Sequence, residues 1–202
     1  MHTEFAVAAH WNGGFEERAL QTWAGQVRGR LRTSHVSLGL VFLTPRFFPH
    51  ATQVLEILRV HAQIPLLVGC SSNGLISGDQ EIEDAPGLAL GLYGLPGAEL
   101  RAFHFTQEQT EESNGPGYWH LETGLGPDQT NGWLVFADPF HLDAESWLRG
   151  WNEAYAPLPV LGGLASGDHS QHITQVYWNG EVFEDGGVAV SFGGKVRLLS
   201  VI

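Results

Sequence analysis

The sequence predicts an α/β sandwich of the α+β kind, with a mixed sheet built from two pseudo-symmetric strand-helix-strand-hairpin repeats. Three observations carry that expectation. First, 26 glycines in 202 residues punctuate short apolar runs and form no collagen-like period or low-complexity block, which implies many strands and tight turns. Second, VFLTP from Val41 matches VFADP from Val135 at an offset of 94, and PLLVGCSS from Pro65 matches PVLGGLAS from Pro159 at the same offset. Third, GLALGLYG from Gly87 matches GVAVSFGG from Gly187 at an offset of 100, which places about six extra residues near DHSQHI in the second copy. The whole chain, 1–202, reads as a single domain with internal repeats at about 34–106 and 129–202.

Taken in order, Phe5 to Ala9 is a short strand. Phe15 to Leu31 is an amphipathic helix through Leu20, Trp23 and Val27, with arginines near its C-terminal end, where the macrodipole favours them. SLGLVFLT is a buried strand, Ala51 to Ala62 a helix, and PLLVGC a second buried strand. Leu75 to Glu83 is extended, and Leu88 to Tyr93 and Glu99 to Phe105 are strands joined by the turn Gly94-Leu95-Pro96-Gly97. Thr106 to Asp128 is polar and Gly/Pro-punctuated, so it reads as a long connection between the copies with one short element around Trp119 to Leu121. In the second copy, Ala144, Trp147, Leu148, Trp151 and Tyr155 keep helical spacing behind Asp143 as N-cap.

Ten Lys and Arg against 22 Asp and Glu give a net charge of -12, which excludes nucleic-acid backbones and anionic membranes as partners unless a local basic patch overrides the field. The only basic cluster, Arg28, Arg30 and Arg32, follows a helix and makes no such patch. A single cysteine cannot close an intramolecular disulfide, and the N-terminus lacks a signal-peptide pattern, so the expected compartment is the cytoplasm.

Two strands empty into small polar residues, and in sheet folds ligands sit beyond such strand ends. The candidate ligand site is Cys70, Ser71, Ser72, Asn73 and Gly74 in the first copy, with Asp138, Gly163, Ser166, Gly167 and Asp168 in the second. Amides and hydroxyls of Ser71, Ser72 and Asn73 suit a carboxylate, and Asp138 or Asp168 suits an ammonium group. Cys70 as a nucleophile needs a lowered thiol pKa and a neighbouring base, whereas a lone cysteine ending a buried strand is more often a small core residue. Gly69 to Asn73 lacks the closing glycine of a nucleophile elbow and has no lysine for a phosphate loop. Asp168, His169 and His172 have spacing that could hold a metal, but with no glutamate base they read as surface residues, so neither metal nor cofactor is expected. Of seven tryptophans, Trp147 and Trp151 fall on the core face of a helix, while Trp11, Trp119, Trp133 and Trp178 sit near turns that could line a pocket, with core packing the default.

LLVGCSSNGLISG followed by GLALGLYG, then VLGGLASGD and WNGEVFEDGGVAVSFGG, resembles the N-terminal domain of the FIST family, the F-box and intracellular signal transduction proteins, from about Ser34 to Ile202. The resemblance implies a cytoplasmic sensory domain for small ligands such as amino acids, without enzyme activity, working with a C-terminal FIST domain or a signalling partner. It further implies that this chain is either part of a longer protein or a solo version whose other half is supplied by a partner. The matching turns are Gly69 to Gly74 and Gly162 to Asp168.

The leading expectation is therefore a small-ligand sensor. The alternatives are a hydrolase or transferase using Cys70 or Ser71, and a protein-interaction module that docks through the apolar end strand VRLLSVI. The latter would also permit a homodimer.

Overall fold

The computed structural model describes residues 5–78, 80–83, 85–168, 170 and 172–199. The chain runs through β1 (Ala6–Asn12), α1 (Glu17–Arg30), β2 (Leu38–Leu43), a 3-10 segment (Pro45–His50), α2 (Ala51–His61), β3 (Leu67–Ser71), β4 (Gly74–Ser77), β5 (Gln80–Glu83), β6 (Gly87–Tyr93) and β7 (Ala98–Phe105). It continues through α3 (Gln107–Glu112), α4 (Pro116–Thr123), β8 (Trp133–Ala137), α5 (Ala144–Tyr155), β9 (Val160–Leu164), β10 (Val176–Trp178), β11 (Glu181–Phe183) and β12 (Gly187–Gly194).

The expected sandwich is present, and its mixed sheet is realised as two. One has the order β1-β6-β2-β3-β10-β11, the other β7-β12-β8-β9, and β4-β5 forms a separate hairpin. Strand alternation gives each sheet two apolar faces. Val41, Leu43, Leu67, Leu88, Leu90 and Leu92 face α1 and α2, while Trp133, Val135, Ala137 and Ala189 face α4 and α5. The remaining faces meet each other, where Leu38, Val68 and Cys70 of one sheet pack with Phe136, Val188, Val190 and Phe192 of the other. The layers are thus helices, sheet, sheet, helices.

β2-α2-β3 and β8-α5-β9 are each a parallel strand pair with an antiparallel neighbour, β6 and β12 respectively. Their registers correct the sequence match by one residue. Val41 faces Gly69, but Val135 faces Gly162 and not Gly163. At both glycines an added Cβ would collide with the carbonyl oxygen of the facing valine, so no other residue fits. Gly163 consequently holds the place of Cys70, opposite Phe136 as Cys70 is opposite Phe42.

The hairpins do not stay with their own halves of the chain. β6 and β7 lie in different sheets, so the Gly94 to Gly97 turn is a crossing between layers. In return β10-β11, from the second half of the sequence, extends the first sheet by pairing β10 with β3. Each sheet is completed by strands from the other half.

The segment expected as a loop between the halves holds two helices. Thr106 and Gln109 form a reciprocal capping box at α3, and Pro116 opens α4. Trp119 on α4 is fully buried, and its ring lies 5.1 Å from that of Trp151, which itself lies 4.9 Å from both Trp133 and Trp147. Trp119 and Trp133 are fully buried core residues.

Candidate functional site

Parallel strands β2 and β3 both end at the same edge of their sheet, and β8 and β9 do so in theirs. Asn73 and Ser166 each lie two residues past the second strand of a pair. The structure brings these turns together: the Asn73 amide donates to Ser166 Oγ at 2.9 Å, and the Ser166 amide donates to the Ser71 carbonyl at 3.1 Å. One polar seam therefore joins the ends of the two sheets.

Thr174 and Gln175 thread through this seam ahead of β10. The Ser71 amide donates to the Gln175 carbonyl at 2.7 Å, and the Ser71 hydroxyl accepts the Gln175 amide at 2.9 Å. Thr174 Oγ1 donates to Asp138 Oδ1, and Asp138 Oδ2 accepts both the amide and Nδ1 of His141, the latter at 3.0 Å. Asp138 is almost completely enclosed, so these three donors replace the water it lost on folding.

These bonds decide what each expected residue offers a ligand. Ser71 is fully enclosed and bonded. The Ser72 amide donates to the Leu43 carbonyl, and its hydroxyl donates to the Gly74 carbonyl at 2.6 Å. With the Asn73 amide given to Ser166, the turn presents no free backbone cradle for a carboxylate, and enclosed Asp138 has no room for an ammonium group. Asp168 accepts the amide and hydroxyl of Ser170. Gly167 lies so close to the Ile173 carbonyl that a Cβ would collide with it. Gly163 belongs to the exposed strand β9, away from the seam.

Cys70 lies between the two sheets, and burial pushes its thiol up to about 12. A thiol in that state carries almost no thiolate at neutral pH, which is the opposite of an activated nucleophile. Of the Asp168, His169 and His172 set, His169 lies outside the described residues. The His172 ring lies 5.0 Å from that of Phe140 at a tilt of 47°, and no metal-ligating cluster forms among the described residues.

What remains open at this edge is a cleft of about 370 Å³ lined by Thr44, Pro45, Arg46, Asn73 and Ala85. Thr44 is bonded on both sides to Gly87, donating to its carbonyl and accepting its amide. Among the described residues the Arg46 guanidinium and the Asn73 carboxamide make no hydrogen bond or ion pair, and both line this cleft. Arg46 was not among the sequence candidates. It stands alone between Pro45 and Phe47, with no periodicity or cluster to mark it, and only the strand-end position of VFLTP hinted at it.

No described helix is long and apolar enough to cross a membrane. The family model described as the FIST N domain matches residues 37–202. The uncharacterized protein Mb0898c of Mycobacterium bovis is 27% identical over 173 residues, which cover 85% of this chain and 43% of that protein. Rv0628c of Mycobacterium tuberculosis, also named only as uncharacterized, is 25% identical over 179 residues, covering 88% of this chain and 45% of its own. The chain thus spans less than half the length of the curated relatives it matches.

Proposed function

The chain belongs to the family of the FIST N domain, and from that premise we propose that it is a cytoplasmic small-ligand sensory domain of a signalling protein, its ligand an amino acid or related small carboxylate. The observation that carries this reading is the cleft at the carboxyl ends of β2 and β3, which holds a guanidinium and a carboxamide that have no partner among the described residues. A planar guanidinium recognises a carboxylate through two parallel hydrogen bonds, and a carboxamide adds a further donor. The net charge of -12 opposes anions at long range, but screening confines that field to about 8–10 Å, so Arg46 dominates inside the cleft.

The seam gives such a ligand a route to the rest of the molecule. Its contact at Asn73 is one bond from Ser166, and so from the end of the second sheet. The reader of that change is a C-terminal FIST domain or a signalling partner, a reading supported by the family and by the greater length of the relatives.

A thermal-shift screen with amino acids and small carboxylates tests the proposal. A ligand at a hundredfold its Kd adds about 2.7 kcal/mol. In a chain of this size that raises the midpoint by about 5–11 °C. Arg46→Gln should weaken the response about ten- to hundredfold, the worth of a charge-assisted hydrogen bond. A flat screen, or an unchanged response in Arg46→Gln, would overturn the assignment of the cleft.

A further inference from the structure

Four strands form the outer edges of the two large sheets, and three of them are guarded. Along β1, Arg30 donates to the Ala8 carbonyl at 3.3 Å. β11 is only three residues long and carries Glu181, while β7 carries Glu99 and Arg101. Such charges and short lengths are how edges avoid pairing with other chains. β9 has none of these devices: Val160–Leu164 reads VLGGL, without a charge or a proline.

The unsatisfied groups on β9 can be assigned. The Trp133 amide donates to the Pro159 carbonyl and the Ala165 amide to the Ala137 carbonyl. Alternation in a parallel ladder then turns Leu161 and Gly163 toward β8, and the N–H and C=O of Val160, Gly162 and Leu164 outward. No described residue bonds to that outward row. Beside it, α5 and β9 enclose an apolar groove of about 210 Å³ lined by Trp147, Leu148, Val160 and Leu164 among others, and Leu148 and Leu164 are 42% and 57% exposed.

We infer that β9 is a self-association edge, pairing antiparallel with β9 of a second copy of this chain. A two-fold axis at Gly162 places Gly162 opposite Gly162 and Val160 opposite Leu164. All three outward-facing residues then find hydrogen-bonding partners. The same axis brings Leu164 of each copy against Val160 and the groove of the other. Charge favours this site for self-association over β7 and β11, because two chains of net charge -12 repel wherever acidic residues meet, and β7 carries Glu99 and β11 Glu181 while β9 has no acidic residue.

The pairing does not depend on the ligand reading. Sedimentation velocity over a concentration series tests it, because a five-residue edge should give a concentration-dependent equilibrium. The expected result is a species of twice the 22.1 kDa chain mass that grows with concentration and is lost in both Leu164→Lys and Leu148→Glu. Both replacements fall at exposed positions, and circular dichroism checks that the fold is kept. A chain that stays monomeric at every concentration overturns the inference and leaves the edge for a different protein. A dimer that persists in both variants places the contact elsewhere and overturns it equally.

Discussion

Replacing Ser71 with alanine separates a structural hydroxyl from a ligand-binding one. The Ser71 side chain is fully enclosed, and its oxygen accepts the amide of Gln175, which is itself buried. Alanine fits the space but leaves that amide without a partner, at a cost of about 1–3 kcal/mol. For a chain of this length the midpoint should fall by about 2–12 °C. Ser166→Ala removes an acceptor from the Asn73 amide at an exposed position, where water takes over, and should cost about 0.5 kcal/mol or less. Urea unfolding of the two variants measures this directly, with an unchanged slope confirming that only stability moved. A Ser71→Ala protein as stable as the wild type, or one hurt less than Ser166→Ala, would refute the account of the seam.

Other consequences are equally direct. Cys70, with its thiol pushed up to about 12, should resist iodoacetamide at neutral pH until the chain is unfolded; rapid labelling of the folded protein, read by mass spectrometry, would contradict its place between the sheets. Trp151→Ala empties a fully buried site among six aromatic rings and should cost about 3–5 kcal/mol, with loss of near-ultraviolet dichroism from the tryptophan cluster. Burial lowers the pKa of His104, stacked 3.8 Å from Phe183, below its ordinary 6.5, despite the opposing influence of Asp185 and Glu181. The unfolded chain therefore takes up this proton at higher pH than the folded one, so the stability present above 6.5 is lost as pH falls through the lowered value. His104→Phe should reduce that dependence in urea midpoints measured on either side, and an unaltered profile would assign it to other groups.

The buried strands and the core-facing helices were legible because burial on one or both faces writes itself as apolar runs and periodic spacing. Trp147 and Trp151 on α5, with Asp143 accepting the Ser146 amide at 3.0 Å, stand where their spacing put them. α3 and α4 were hidden because the buried residues on them are only Thr110 and Trp119, which leaves little periodicity to read. Their signals were the capping pair Thr106 and Gln109, and Pro116, inside a segment that polarity alone marks as a loop. The exchange of β7 and β10-β11 between sheets could not be read locally, since pairing partners are chosen by the whole packing. At the candidate site, the pairing of two small-residue turns was visible in VGCSSNG and GGLASGD, but not how those turns spend their donors on each other. Arg46 gained its significance only once β2 and β3 ended side by side.

The most direct test of the central claim is a titration of the isotope-labelled protein with the carboxylate that gives the largest thermal shift, followed through amide resonances. Saturable shifts are expected at Arg46, the side-chain amide of Asn73 and the backbone amide of Asn73 across to Ser166, all moved to about ten- to hundredfold higher ligand concentration by Arg46→Gln. Shifts confined to the groove between α5 and β9, or a pattern indifferent to Arg46, would contradict the claim.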